Sequence, residues 1–285
     1  MIRYNTTIIQ RKLKEFLEED CSFSDITSKI IPEEAKTTAK IIAKSKGNIS
    51  GLKELEILYD LLHIEVYFNK EEGEEIKEGD IIAKLKGDAQ NILMGERIGL
   101  NLVTHMSSIT TTTKKFLNII RDSGKKVKIA CTRKTLPGLR IFEKRAVELG
   151  GGDPHRFSLD DMVLLKDTHL RFYQGDIAKL LNKMKNEVSF TKKIEIEIEK
   201  PEDALIAAKN GADIIMLDNM NPDQVEDTIN ILKQNNLREM VIIEVSGGIN
   251  EENLIDYLIS EPDVISVGQL TQFPTEKVDI SLRFD

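Results

Sequence analysis

From Lys126 onward, short apolar runs alternate with helical patterns. The apolar runs fall at 127–131, 162–165, 194–198, 213–217, 241–245 and 264–267. Their length and β-branched content predict buried strands. Between most of them apolar residues recur at helical spacing, over 139–149, 171–185, 202–210, 222–235 and 250–259. Two of these helices carry start signals: Asn221-Pro222 fits the N-cap and first-turn positions, and Asn250 precedes Glu251-Glu252. Alternation of this kind implies a parallel sheet, either a barrel or a doubly wound sheet.

The first third reads differently. Ile9, Leu13, Phe16 and Leu17 share one helical face over 9–19, and 20–27 reads as a loop. Residues 38–49 predict a strand ending in a turn. Gly51 then opens an amphipathic helix over 52–63, with Leu52, Leu55, Leu58, Tyr59 and Leu62 inward. Ile64–Phe68 and Asp80–Leu85 predict strands around turns at Gly73 and Gly79. The whole is a mixed α/β module. A long helical pattern follows over 91–121, with Leu93, Ile98, Leu102 and Met106 as its buried stripe. The Thr110–Thr113 run is poor in helix propensity and predicts a break. Glu96 and Arg97 sit among apolar residues, and a solvated turn of helix accounts for them on pattern alone.

Composition narrows the class. With 285 residues, 40% of them hydrophobic and 31% charged, the chain suits two domains or one barrel with an appendage. A net charge of −8 argues against a general nucleic-acid or membrane-surface binder. Cys21 and Cys131 form no metal spacing and no disulfide framework, so a reducing, cytoplasmic setting is expected. No apolar run approaches 18 residues, and the opening MIRYNTTIIQRKLKEF lacks a signal-peptide core.

In an acidic protein the cations between Cys131 and His169 need a reason. They are Arg133, Lys134, Arg140, Lys144, Arg145, His155, Arg156, Lys166 and His169, with Gly150-Gly-Gly-Asp-Pro in their midst. This stretch reads as a pocket for a small molecule with several negative charges. Polar residues or glycines also follow each expected strand: Thr132-Arg133-Lys134, Lys166, Glu197, Asp218-Asn219, Ser246-Gly247-Gly248 and Gly268-Gln269. In a parallel barrel the C-terminal strand ends form the active-site face. The last two glycine loops stand where such barrels hold phosphate, because missing Cβ atoms let backbone N–H groups approach. Glu197 with Asp218 could hold Mg²⁺ or ribose hydroxyls. Lys166, ending a buried run, needs an anionic partner.

Blander readings stand beside these. Arg133-Lys134 is ordinary turn composition, His155-Arg156 suits a surface loop, and His169 suits a cap. Glu195, Glu197 and Glu199 suit one outward face, and Cys131 suits packing. No Ser–His–Asp set, Walker loop, CxxC or HExxH occurs.

Taken together, particular motifs carry a resemblance. They are Thr132-Arg-Lys-Thr-Leu-Pro-Gly-Leu-Arg140, Glu143-Lys144 with Ala146-Val147, Gly150-Gly-Gly, His155-Arg156 and Lys166-Asp167-x-His169. Outside that stretch lie Glu19-Asp20, Asp25-Ile-Thr27, Gly51-Leu52, Glu96-Arg97, Leu100-Asn101, Glu195-Ile-Glu197, Leu217-Asp218-Asn219, Ser246-Gly-Gly-Ile249 and Asp263–Gly268. In this order, over essentially the whole chain, they resemble the quinolinate phosphoribosyltransferase family (nicotinate-nucleotide pyrophosphorylase, carboxylating).

The resemblance implies an N-terminal α/β sandwich domain over 1–105, rejoined by 271–285. It also implies an incomplete TIM-like α/β barrel of six to seven strands over 106–270. It implies transfer of the phosphoribosyl group of phosphoribosyl pyrophosphate to quinolinate with decarboxylation, in NAD biosynthesis. Arg133, His155, Arg156, Lys166 and an Arg97 supplied across a homodimer interface would surround the quinolinate carboxylates, beside Thr132. Lys134 and Lys166 would meet phosphoribosyl pyrophosphate, and Glu197 and Asp218 its ribose hydroxyls and Mg²⁺. Ser246, Gly247, Gly248, Gly268 and Gln269 would hold the 5-phosphate. Lys134, Lys166, Glu197 and Asp218 are the implied catalytic set. The chain departs from the family pattern at Ser24, Cys131, Thr168 and Ser107–Thr111, none of them a charged substrate ligand. Alternatives are a same-fold enzyme for nicotinate or for the molybdenum-associated homologues' substrate, a non-catalytic phosphometabolite-binding protein, and another phosphate-binding barrel such as an aldolase.

Overall fold

The computed structural model describes residues 5–285. Met1–Tyr4, the start of the opening stretch that lacks a signal-peptide core, lie outside the described residues. In chain order the elements are α1 (Thr6–Asp20), β1 (Lys36–Ala43), β2 (Gly47–Asn48), α2 (Leu52–Leu61), β3 (Glu65–Phe68), β4 (Glu75–Ile76), β5 (Ile81–Asp88) and α3 (Ala89–Asp122). Then come β6 (Lys128–Ala130), α4 (Arg140–Leu149), β7 (Val163–Leu165), α5 (Asp167–Phe172), α6 (Ile177–Glu187), β8 (Ile194–Ile198), α7 (Asp203–Lys209) and β9 (Ile214–Asp218). The chain ends with α8 (Pro222–Gln234), β10 (Ile242–Ser246), α9 (Leu254–Leu258), β11 (Val264–Ser266), α10 (Gln269–Gln272) and β12 (Ile280–Phe284). No helix of the described residues is long and apolar enough to cross a membrane.

The chain divides into two compact units. Among the described residues the first holds those up to 112, with 137–150 and 274–285, and the second 113–136 and 151–273. In the first unit an antiparallel sheet runs in the order β12-β1-β5-β3, with the C-terminal strand beside β1. Ile41, Leu55, Tyr59, Ile82, Leu85 and Ile92 sit in its buried core. Gly51, in the left-handed region at φ 89°, turns the chain into α2 as the pattern predicts.

The expected break at Thr110–Thr113 is absent; α3 runs unbroken from Ala89 to Asp122. Its hydroxyls are engaged with the rest of the first unit, which offsets their weak propensity. Thr110 Oγ1 lies 2.8 Å from both Ser50 Oγ and the Ala146 carbonyl. Thr111 Oγ1 accepts from Asn48 N–H at 2.8 Å, and Thr112 Oγ1 from Glu276 N–H at 3.1 Å.

The second unit is a sheet of six strands in the order β6-β11-β10-β9-β8-β7, parallel throughout. Pairing of the last strand, β11, with the first, β6, leaves only the β6/β7 seam unzipped, the pattern of an incomplete barrel. At that seam Ala130 bridges Asp153, and Cys131 N–H donates to the Asp153 carbonyl at 3.0 Å. Period-two alternation gives the strands two faces. Ile196, Ile215, Leu217, Ile243, Val245 and Ile265 form an aliphatic face, all buried. The other face carries Glu195, Glu197, Asp218, Glu244, Ser246 and Ser266.

Two helix starts resolve differently. α8 begins with the capping box of Asn221 and Gln224 and Pro222 in its first turn, as expected. α9 begins only at Leu254; Asn250 instead accepts from Glu252 and Asn253 N–H in a preceding turn. The single helix expected over 171–185 is two, α5 and α6, parted at Gly175, whose φ is 82°.

Candidate functional site

Register brings the strand ends of the second unit to one rim. Asp218 is opposite Ser246, Ser246 opposite Ser266, and Ser266 opposite Ala130. The loops at 131–134, 218–219, 246–248 and 267–269 therefore leave from one level. Gly268 faces the Lys134 stem: a Cβ there would lie 3.0 Å from Lys134 Cδ. Thr271 Oγ1 donates to the Lys134 carbonyl at 2.8 Å, and Lys134 N–H donates to Thr132 Oγ1 at 3.0 Å. These bonds hold the Thr132–Lys134 turn against Gly268-Gln269.

The loops after β9 and β10 are as close. Gly247 and Gly248 have φ of 102° and 63°. Asn219 N–H donates to the Ser246 carbonyl at 2.9 Å, and Asn219 Nδ2 to Asp218 Oδ2 at 2.8 Å.

Lys166, at the end of β7, has its anionic partner within the protein: Nζ pairs with Glu197 Oε1 on β8. Burial raises the Glu197 carboxyl above its ordinary range, the Lys166 bond opposes that, and the like charge of Asp218 adds to it. His169 serves as a cap, its Nδ1 accepting from Lys166 N–H at 2.9 Å. Arg156 is 7% exposed. Burial and then the neighbouring Arg133 depress its pKa, while Glu195 and Glu197 oppose the shift. Arg133 Nε is buried and has no hydrogen-bond partner among the described residues.

The cations of 131–169 do not act as one set. Arg140, Lys144 and Arg145 belong to the first unit. Lys144 is buried there, and Arg145 lies 2.8 Å from Glu54 and 3.4 Å from Glu72. Arg97 also belongs to the first unit, on α3, with its side chain 64% exposed and 4.0 Å from Glu96. Thr132, Arg133, Lys134, His155, Arg156, Lys166, Glu197, Asp218, Ser246, Gly247, Gly248, Gly268 and Gln269 all belong to the second unit.

The outward-face reading of Glu195 does not hold: it has no exposed surface, and both its carboxylate oxygens lack hydrogen-bond partners. Its Oε2 lies 3.6 Å from His155 Nε2, and Glu244 Oε2 lies 2.9 Å from the same nitrogen. Burial, then the charge of Glu244, pushes the Glu195 carboxyl well above its usual range. Glu244 escaped the sequence reading, although a carboxylate inside Ile-Ile-Glu-Val is the kind of buried charge that demands a partner. A separate shallow cleft of about 300 Å³, lined by Lys193, Asp213, Arg238 and Asp263, lies at the opposite ends of the strands. Its Arg238 pairs with Asp263 at 2.9 Å.

Residues 25–107 match the family described as "Quinolinate phosphoribosyl transferase, N-terminal domain", and residues 109–283 its "C-terminal domain". The chain is 44% identical over 261 residues to the "Probable nicotinate-nucleotide pyrophosphorylase [carboxylating]" of Archaeoglobus fulgidus, covering 92% of this chain and 98% of the relative. It is 40% identical over 272 residues to the protein of that name from Methanothermobacter thermautotrophicus, covering 95% and 97%. The solved nicotinate-nucleotide pyrophosphorylase of Francisella tularensis superposes with a TM-score of 0.90 at 32% identity, covering 99% of this chain and 98% of that one.

Proposed function

Because the chain belongs to the quinolinate phosphoribosyltransferase family, we propose that it transfers the phosphoribosyl group of phosphoribosyl pyrophosphate to quinolinate. Carbon dioxide and pyrophosphate leave, and nicotinate mononucleotide forms. The observation that carries the reading is the pair of adjacent guanidiniums, Arg133 and Arg156, one with a buried Nε lacking an acceptor. Neighbouring cations repel unless an anion lies between them, and a dicarboxylate supplies two.

Each residue then has a task. Arg133 and Arg156 face the quinolinate carboxylates, bordered by Thr132, His155 and Lys166. Lys134 and Lys166 meet the phosphates of phosphoribosyl pyrophosphate. Backbone N–H groups of Ser246–Gly248 and Gly268-Gln269 take the 5-phosphate. Glu197 and Asp218 hold the ribose hydroxyls. The pyridine nitrogen attacks the ribose carbon as its bond to pyrophosphate breaks, and no enzyme nucleophile is required. Positioning and charge do the work. The positive charge of the quaternised ring then stabilises the electron pair left on C2 when the 2-carboxylate departs as CO₂, and a proton from solvent takes up that pair to complete the C2–H bond.

The donor set suits a hard dication. Glu197 and Asp218 are carboxylates on neighbouring strands, and the charge of Asp218 disfavours that of Glu197. Oxygen donors of this kind bind Mg²⁺, and a dication would relieve their repulsion. Glu197 and Asp218 would hold Mg²⁺ together with the substrate, and the bound ion would stabilise the departing pyrophosphate.

A homodimer in which the partner's copy of Arg97 completes the site belongs to the same reading; the exposure of Arg97 supports it. A cytoplasmic setting is supported by the two unbridged cysteines. The deciding experiment supplies quinolinate, phosphoribosyl pyrophosphate and Mg²⁺ and follows nicotinate mononucleotide and CO₂, with nicotinate as a parallel acceptor. Product and CO₂ from quinolinate alone are expected. No product from quinolinate, or product from nicotinate without CO₂, overturns the dicarboxylate assignment.

A further inference from the structure

Glu244 is a carboxylate in an apolar strand, 2% exposed. Two side chains hold it. Ser266 Oγ donates to Oε1 at 2.6 Å, and His155 Nε2 lies 2.9 Å from Oε2. The other ring nitrogen of His155, Nδ1, accepts from Arg156 N–H at 2.7 Å. An accepting Nδ1 leaves the ring proton on Nε2, so Nε2–H is the donor to Glu244. Both ring nitrogens are thus engaged inside the protein.

The backbone is constrained as well. His155 has φ 52°, an unfavourable conformation for a residue with a Cβ, and such strain persists only where surroundings enforce it. Its N–H donates to Asp153 Oδ1 at 2.7 Å, next to the bridge that Asp153 makes at the barrel seam. Arg156, the next residue, is buried, and its Nη1 reaches the Met162 carbonyl at 3.4 Å. Ser266, Glu244, His155 and Arg156 therefore form one chain of contacts, which ties the end of β11 and the interior of β10 to the turn that carries Arg156.

We propose that Glu244 is a positioning residue of the acceptor site, which through His155 holds the turn that aims the Arg156 guanidinium at the substrate carboxylate. His155 then acts through Arg156, because neither of its ring nitrogens has a proton left to offer a substrate. Glu195, 3.6 Å from the same Nε2, is the more distant acceptor. A metal ion held by His155, Glu195 and Glu244, whose ligand atoms lie within 4.8 Å of one another, fits less well. Metal on Nε2 would move the proton to Nδ1, where it would confront the Arg156 N–H.

The inference rests on the quinolinate reading, so wild-type activity is measured first. A wild-type protein that leaves quinolinate untouched fails that reading, whereas the variants test the role of Glu244 alone. Wild type, Glu244→Ala, Arg156→Ala and the double variant are compared by equilibrium dialysis with quinolinate and, separately, phosphoribosyl pyrophosphate. Glu244→Ala is expected to weaken quinolinate binding about tenfold, as loss of a charge-assisted bond would. Phosphoribosyl pyrophosphate binding stays within about twofold of wild type, and Glu244→Gln, which keeps an acceptor oxygen, recovers most of the loss. In the Arg156→Ala background the Glu244→Ala effect largely disappears, the non-additivity expected of coupled residues. Equal weakening of both ligands, unchanged quinolinate binding, or full additivity overturns the proposal. Should Glu244→Ala fail to fold, Ser266→Ala decides: selective weakening of quinolinate by roughly two- to threefold supports it, and unchanged binding overturns it.

Discussion

Glu54 has no exposed surface, and Arg145 Nε stands 2.8 Å from its Oε1 without the alignment of a hydrogen bond. Burial, opposed by the Arg145 charge, raises its carboxyl from 4.5 to about 7. Stability therefore depends on pH. Below about pH 4.5 the group is neutral in both folded and unfolded chains and costs nothing. As the pH rises toward 7 the unfolded chain ionises first, and the folded state loses stability. The difference amounts to roughly 3 kcal/mol. Urea unfolding at pH 5 and pH 7.5 should therefore show Glu54→Gln gaining on the wild type by an amount of this order as the pH rises; a constant difference would contradict it. Little of this was legible in the chain. Glu54 lies in Leu-Lys-Glu-Leu-Glu, where a glutamate reads as solvated, and its partner stands on another helix. Lys166 was more legible, because a lysine ending a buried run announces a partner, although which carboxylate answers is a matter of strand order.

At the scale of elements, short apolar runs rich in β-branched residues located the strands of the second unit to within one residue at each end, since one face of the sheet is wholly aliphatic and much of the other is buried. The loops behind them depend on close approach. A Cβ on Gly247 would lie 2.8 Å from Asn219 N and closer still to the Asn219 side-chain oxygen. At φ 102° the residue is also strained for anything but glycine. Gly247→Ala should force the β9 and β10 loops apart and weaken phosphoribosyl pyrophosphate binding on the order of tenfold or more. Binding measured alongside far-UV circular dichroism checks this: the spectrum stays unchanged while affinity falls. Unaltered affinity would show that this loop does not hold the phosphate. Propensity misled where packing intervened. The threonines of α3 predicted a break, but Ser50, Asn48 and Glu276 engage their hydroxyls and the helix continues.

At the scale of the whole molecule, the shared-site reading makes a test of its own. Arg97→Ala and Lys134→Ala should each abolish most activity alone. If a site combines Lys134 of one protomer with Arg97 of its partner, mixing the variants through an unfold–refold cycle regenerates intact sites. Random pairing into two-fold dimers would restore roughly a quarter of wild-type activity; no recovery would argue for sites built within single chains. The chain alone determined the strand–helix alternation and the delivery of cations, carboxylates and glycines to the strand ends. These are local properties, written within windows of a few residues where side-chain period and turn chemistry act. Tertiary structure decided which charges serve which purpose. α4 follows β6 in sequence, yet it joins the first unit, so Arg145 lies against Glu54 and Glu72. Glu195 and Glu244 turn inward, and His155 meets a carboxylate 89 positions away. Such pairings depend on strand order and on contacts between distant residues, and a buried charge is defined by its surroundings, which no local window contains.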